Sequence, residues 1–145
     1  MLCEDFTFYW THRSLHWRVI YPYIHKWHHS YKTTVCIAVE HSHPIEYLYS
    51  SLLSVSVGPM LLGERCHAVT VLAWYVWHTC ESIDGHCGYA FPWSPFRLVP
   101  FSAGEAFHDY HHSENVGNYG SYFRIWDTLF DTNKDFVALR KQKSD

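Results

Sequence analysis

The chain is poor in charge: only 17% of its 145 residues are Asp, Glu, Lys or Arg, below the typical quarter. A net charge of −3 and a pI near 6.5 leave no excess of basic residues to neutralise phosphates, so no nucleic-acid partner is expected. The five cysteines, Cys3, Cys36, Cys66, Cys80 and Cys87, are odd in number, irregularly spaced and free of any CxxC. That excludes a disulfide framework and a zinc ribbon, and reduced thiols on a cytosolic face are the simplest reading. There is no internal repeat, no heptad and no low-complexity tract. The opening MLCEDFTFYW lacks a basic stretch, a clean apolar run and a small-residue cleavage site, so it is not a secretory signal. The length allows one domain over residues 1–145 and no second.

Hydrophobic and aromatic residues are plentiful, at 48% and 19%. Asp5–Ser30 reads as helical with a break near Tyr21-Pro22, where Pro22 is expected to open a second helix carrying Ile24–His29. Thr33–Pro44 is a connector. Ile45–Gly63 carries Glu46 as its only formal charge, with Gly58-Pro59 expected to interrupt it. Glu64-Arg65 is a polar turn, and Ala68–Thr79 is apolar again. A membrane span needs about 20 apolar residues. The first apolar segment is marginal and the second short, so a bilayer-embedded hairpin competes with two buried helices of a soluble bundle. Tyr47, Tyr49, Trp74, Tyr75 and Trp77 near the segment ends favour the membrane interface. Phe91–Pro100 is a loop, Gly104-Glu105 leads into a short helix, Gly117–Tyr122 is a loop, Phe123–Phe130 is an amphipathic turn or two, and Arg140–Asp145 is a solvated tail.

Histidine is the anomaly, with 13 residues against 14 Asp plus Glu. HRSLH places His12 and His16 at i and i+4. HKWHH (His25, His28, His29) and HDYHH (His108, His111, His112) repeat an i, i+3, i+4 pattern. On helices these offsets bring side chains together, about 5–6 Å between Cβ atoms, which predicts three convergent groups. Burying eight imidazoles without partners would cost roughly 1–3 kcal/mol each. Imidazole is the commonest metal ligand, and eight or more exceed the three or four that one zinc needs, so two metals, or one metal with great redundancy, are implied. HExxH is absent, which removes the zinc-protease reading. A metal-storage tract would be contiguous and would lack the aromatic framework between the boxes.

HxxxH, HxxHH and HxxHH in this order resemble the histidine boxes of the fatty acid hydroxylase/sterol desaturase superfamily. ESIDGHCGYAFPWSP, FHDYHH and GNYGSYFRIWDTLFDT resemble its sterol 4-methyl oxidase branch, as does HSHPIEY, with Ser42 in place of the usual alanine. The likeness runs from about Phe8 to Asp135. It implies an all-α fold, a membrane-embedded helical hairpin with a histidine-rich cytosolic helical cap, in the endoplasmic reticulum membrane. It further implies two non-haem iron ions, dioxygen, electrons from NAD(P)H through a b-type cytochrome and its reductase, and stepwise oxidation of a sterol 4-methyl group.

By the same resemblance, His12, His16, His25, His28, His29, His108, His111 and His112 match the boxes, and His86 in GHCGY matches a further ligand position. His41, His43, His67 and His78 are left over, with His43 read as structural or supporting. Asp109, Glu81 and Asp84 are candidates to orient the imidazoles. The aromatic segments Phe6–Trp10, Tyr47–Tyr49, Trp74–Trp77 and Phe91–Phe96 are either channel walls for a flat apolar lipid or plain packing. Ala90 stands where relatives often carry His, Asp or Asn. Relatives also place transmembrane helices before the first box, where only eleven residues precede His12, so the chain is expected to be the catalytic portion of a longer enzyme. Hydroxylation of a fatty acyl or other lipid, and a truncated, inactive metal-binding membrane protein, are the alternatives. Lys141 and Lys143 in KQKSD resemble a dilysine retrieval signal.

Overall fold

A computed structural model describes residues 1–143. Ser144 and Asp145, the end of the expected charged tail and of the dilysine motif, lie outside the described residues. Among the described residues, and apart from short 3₁₀ turns, six helices make up the architecture: α1 (Leu2–Leu15), α2 (Pro44–Arg65), α3 (Ala68–Gly85), α4 (Glu105–Glu114), α5 (Ile125–Leu129) and α6 (Lys134–Gln142). Among the described residues there is no strand, only an isolated bridge between Ser102 and Phe123. The all-α expectation therefore holds. Arg140, Lys141 and Gln142, read as tail, finish α6.

Helix α1 ends at Leu15, and box two is not on the α-helix expected after Pro22. Pro22 has no N–H to give, and it pushes Tyr21 away from helical geometry. The following bonds mix registers: Tyr23 to Ile20, Lys26 to Tyr21 and Trp27 to Ile24. The segment is a train of turns closing in a 3₁₀ turn, His28–Ser30.

Helices α2 and α3 form a helical hairpin. The side chain of His43 accepts the N–H of Ile45 at 3.2 Å and Pro44 occupies the first turn, so HSHP is a helix start. His67 caps α3 the same way through the N–H of Val69. Gly58-Pro59 does not interrupt α2. Pro59 removes the N–H that would meet the Val55 carbonyl, and the indole N–H of Trp74 on α3 takes that carbonyl at 2.8 Å instead. Within α2, Tyr47–Leu52 is π-helical, an insertion often found beside functional sites. There Ser50 meets Thr11 of α1 at 3.1 Å.

Pro44–Arg65 is long and apolar enough to cross a membrane, and it is the one such helix among the described residues. Leu61 and Met60 on α2, and Val69 and Leu72 on α3, are more than 60% exposed. Inside the protein the pattern inverts: more of the described buried side chains are polar than apolar. The apolar core reduces to small groups such as Tyr9 stacked on Phe130 and Phe107 edge-on to Phe136. The interior is instead occupied by histidine.

Candidate metal centre

Helix α1 supplies His12 and the residue that caps its end, His16; the turn train supplies His25, His28 and His29, the cap at the end of α3 His86, and α4 His108, His111 and His112. The structure brings all nine together in two groups rather than three. One comprises His12, His16, His25, His29 and His111, the other His28, His86, His108 and His112, and the ligand atoms of each group lie within 4.8 Å of one another. Boxes two and three are split between the groups because their adjacent histidines diverge. The His28 and His29 rings are 87° apart, and those of His111 and His112 88°.

Five of the nine outer nitrogens are tied down, while the Nδ1 atoms of His28 and His29 are buried without a partner. Nδ1 of His12 donates to the Tyr119 carbonyl at 2.9 Å, and that of His111 to Gly117 at 2.6 Å. His112 donates to Tyr31 at 3.0 Å and His86 to Ser82 at 2.8 Å. A carbonyl only accepts, so each of these rings carries its proton on Nδ1 and leaves Nε2 bare. His25 gives its Nδ1 proton to the Glu46 carboxylate at 2.8 Å.

The Nε2 atoms then face one another. His12–His25, His25–His29 and His16–His111 are separated by 3.1, 3.1 and 3.2 Å. In the second group His86–His108 is 2.8 Å, His108–His112 3.1 Å and His28–His86 3.5 Å. Burial pulls the pKa of all nine down, and for most of them neighbouring imidazoles add to it. His12 falls to about 4, His86 to about 3 and His29 to about 2. Neutral rings with bare, converging nitrogens are the ligand form of histidine. Lone pairs held against one another need a cation between them, so the donor set fits a metal in each group. Imidazole alone suits iron, zinc, copper and nickel.

The expected orienting carboxylates are elsewhere. Asp109 accepts the N–H and hydroxyl of Thr34, both at 3.0 Å. This fixes the stretch whose Tyr31 carbonyl holds His112. Asp84 accepts from Ser94 at 2.9 Å, and one oxygen of Glu81 is buried with no partner. Glu46 and Asp127 were missed. Asp127 accepts the N–H groups of Tyr119 and Gly120 at 2.8 and 2.7 Å and the Thr132 hydroxyl at 2.6 Å. It thereby aims the Gly117 and Tyr119 carbonyls at His111 and His12. A Cβ on Gly120 would come within 2.5 Å of the Phe123 carbonyl, and one on Gly117 (φ +66°) within 2.2 Å of that of Thr132. GNYG could have signalled this tight turn. In GHCGY, Gly88 (φ +72°) passes under the Thr34 carbonyl, leaving 2.7 Å for a Cβ.

The four leftover histidines fall outside both groups. His43 and His67 are caps, His41 is exposed beside Tyr31, and His78 is 3.7 Å from Glu4. Ala90 is exposed. A pocket opens onto His12, His25, His28, His86 and His108, and Phe8, Tyr47, Tyr75 and Phe96 line it, one from each aromatic segment.

Two buried imidazole groups beside a pocket with four aromatic rings in its wall define the class: a helical histidine-box protein whose donor groups could hold metal. Residues 1–132 match the fatty acid hydroxylase family, and the chain belongs to it. It is 44% identical over 146 residues to methylsterol monooxygenase 1 of Danio rerio, covering 98% of this chain and 49% of that protein. It is 40% identical over 145 residues to methylsterol monooxygenase 2-2 of Arabidopsis thaliana, covering 98% and 53%. It is 43% identical over 136 residues to very-long-chain aldehyde decarbonylase GL1-11 of Oryza sativa subsp. japonica, covering 92% and 50%. The chain spans about half the length of the curated relatives it matches. No solved structure matches it.

Proposed function

We propose that this chain is the metal-holding portion of a dioxygen-dependent di-iron monooxygenase that oxidises the 4-methyl group of a sterol. The observation that carries the reading is the pair of imidazole groups with converging nitrogens, His12 with its four partners and His28 with its three, beside a pocket with four aromatic rings in its wall. Bound iron would supply the oxidising power that no side chain offers toward an unactivated C–H bond. The protein's own part is to fix the imidazoles through Tyr119, Gly117, Tyr31, Ser82 and Glu46, and to hold a flat apolar substrate between Phe8, Tyr47, Tyr75 and Phe96. Electrons are to come from NAD(P)H through a b-type cytochrome and its reductase. The setting is the endoplasmic reticulum membrane, entered by Pro44–Arg65, with the histidines on the cytosolic side. The GHCGY and GNYGS signatures and the monooxygenase relatives support the sterol.

A second reading has one specific support: the rice aldehyde decarbonylases match as well as the monooxygenases do. It assigns the same centre to a long-chain lipid. Expression in a cell lacking its own 4-methyl oxidase, followed by lipid profiling, tests both. Loss of 4-methylsterols is expected. Persistent 4-methylsterols with altered long-chain lipids support the second reading, and no change in either supports an inactive metal-binding protein.

A further inference from the structure

Three carboxyl groups outside the metal centre are buried together with oxygens that make no hydrogen bond. Glu4 and Asp5, in the first turn of α1, are 1% and 0% exposed, and Glu81 on α3 is 8% exposed. Glu4 Oε1, Asp5 Oδ2, Glu81 Oε2 and the hydroxyl of Tyr122 are all buried without a hydrogen-bond partner. Asp5 uses its other oxygen to accept the N–H groups of Tyr122 and Phe123 at 2.7 and 3.1 Å, which holds Tyr122 against the cluster. Glu4 reaches His78, at 3.7 Å. Glu81 and His78 both line the pocket that opens onto His12, His86 and His108.

These acids do not make a cation site: among the described residues, the donor groups close enough to share an ion are the two histidine groups. Adjacent carboxyls in a water-poor interior cannot all ionise, so they hold protons instead. Burial pushes Glu4 well up, and the charges of Asp5 and Glu81 push it further. Burial, with Asp5 and Asp84, lifts Glu81 to about 8.

We propose that Glu81, backed by Glu4 and Asp5 and linked to His78, is a proton reservoir that feeds the pocket beside the histidine centre. The inference rests on the oxygenase reading above. Hydroxylation balances as R–H + O2 + 2 e⁻ + 2 H⁺ → R–OH + H2O, with the electrons from the nicotinamide-derived carrier, so two protons must enter the site in each turnover. Four of the metal-facing histidines have no proton to spare. In His12, His86, His111 and His112 the Nδ1 proton is committed to a carbonyl, and a bound metal would take Nε2. Glu81 is an acid on the same pocket wall with a free, proton-bearing oxygen.

The test uses Glu81→Gln, which keeps the shape and cannot pass a proton, and Glu81→Asp, which can. Metal content, expected unchanged, controls for folding. In metal-free wild type at neutral pH, the infrared carbonyl band of a protonated carboxylic acid is expected, and it should weaken in Glu81→Gln. In the iron-loaded protein, Glu81→Gln should lower product formation about 100-fold and release reduced oxygen as peroxide, with Glu81→Asp restoring part of the coupling. Wild-type turnover should fall as pH rises through about 8, a limb that Glu81→Gln should lack. The groups facing Glu81 and its partners are Glu4, Asp5, Asp84, Asp127, His78, Tyr122 and the amino-terminal group. Absence of the carboxylic acid band overturns the reservoir, and full coupling in Glu81→Gln overturns the delivery. A wild type that shows the band and holds iron but consumes no oxygen overturns the oxygenase reading, and the delivery with it.

Discussion

His12 and His25 point their Nε2 atoms at each other across 3.1 Å, while the Nδ1 proton of one is held by the Tyr119 carbonyl and that of the other by Glu46. Neither nitrogen has a proton to give the other. The contact is repulsive until a cation enters it, so metal should stabilise the fold. Metal analysis of protein purified without chelator should return about two ions per chain, one for each imidazole group. Ion present at 100 times its dissociation constant should add about 2.7 kcal/mol to unfolding, read as a shift in melting temperature on adding and removing chelator.

The histidines inside and outside the groups should behave differently. His111→Ala removes a fully buried ring that faces His16 at 3.2 Å, and it should abolish turnover and lower metal content. His67→Ala removes only a cap on α3, at a cost of about 1 kcal/mol, and should retain most activity. Equal losses would sink the ligand assignment.

Asp127 reaches the centre only through the loop it holds. Asp127→Asn puts an amide donor against the Tyr119 or Gly120 N–H that the carboxylate now accepts, and the two carbonyls then lose their aim at His12 and His111. Metal affinity should fall about 10- to 100-fold, the usual effect of losing such support. Gly120→Ala should do at least as much, because its Cβ has no room. Metal titration of both variants, with far-UV circular dichroism to check folding, decides it.

Eight of the nine histidines stood out by their spacing and His86 by the family resemblance of GHCGY, but the partition into two groups could not be read. It depends on box two folding as turns, and the registers after Pro22 mix bonds of different span. Glu46 was recognised only as a lone charge in an apolar run, because its bond to His25 spans 21 residues. Asp127 was hidden for another reason: it touches no histidine and works through backbone geometry. The break expected at Gly58-Pro59 fails because its repair comes from Trp74, 19 residues beyond the Val55 carbonyl it takes. Local rules see the proline and not the indole.

That repair carries its own expectation. Trp74→Phe keeps the ring's bulk and removes the N–H on the Val55 carbonyl. An orphaned, part-buried carbonyl costs about 1–3 kcal/mol, and Pro59 leaves no helical donor to replace the indole. Trp74→Phe should therefore destabilise the protein by that amount, while Pro59→Ala in the same background should recover most of it by restoring an N–H. Thermal unfolding of the two variants and their combination measures the coupling.

Acid should separate the metal-free from the metal-loaded protein. The histidines of the centre have folded pKa values lowered below the ordinary 6.5, His12 to about 4 and His86 to about 3. Between those values and 6.5 the unfolded chain binds more protons than the folded one, so stability rises with pH across that window. The contribution is fully present above 6.5 and is lost as pH falls toward the folded values. Metal-free protein should therefore soften steadily below about pH 6.5. With metal bound, Nε2 is blocked and protons must displace the ion, so the same loss should come at lower pH and coincide with metal release. Unfolding midpoints measured against pH, with and without metal, should give two displaced curves. Superimposable curves would mean that these nitrogens do not hold the ion.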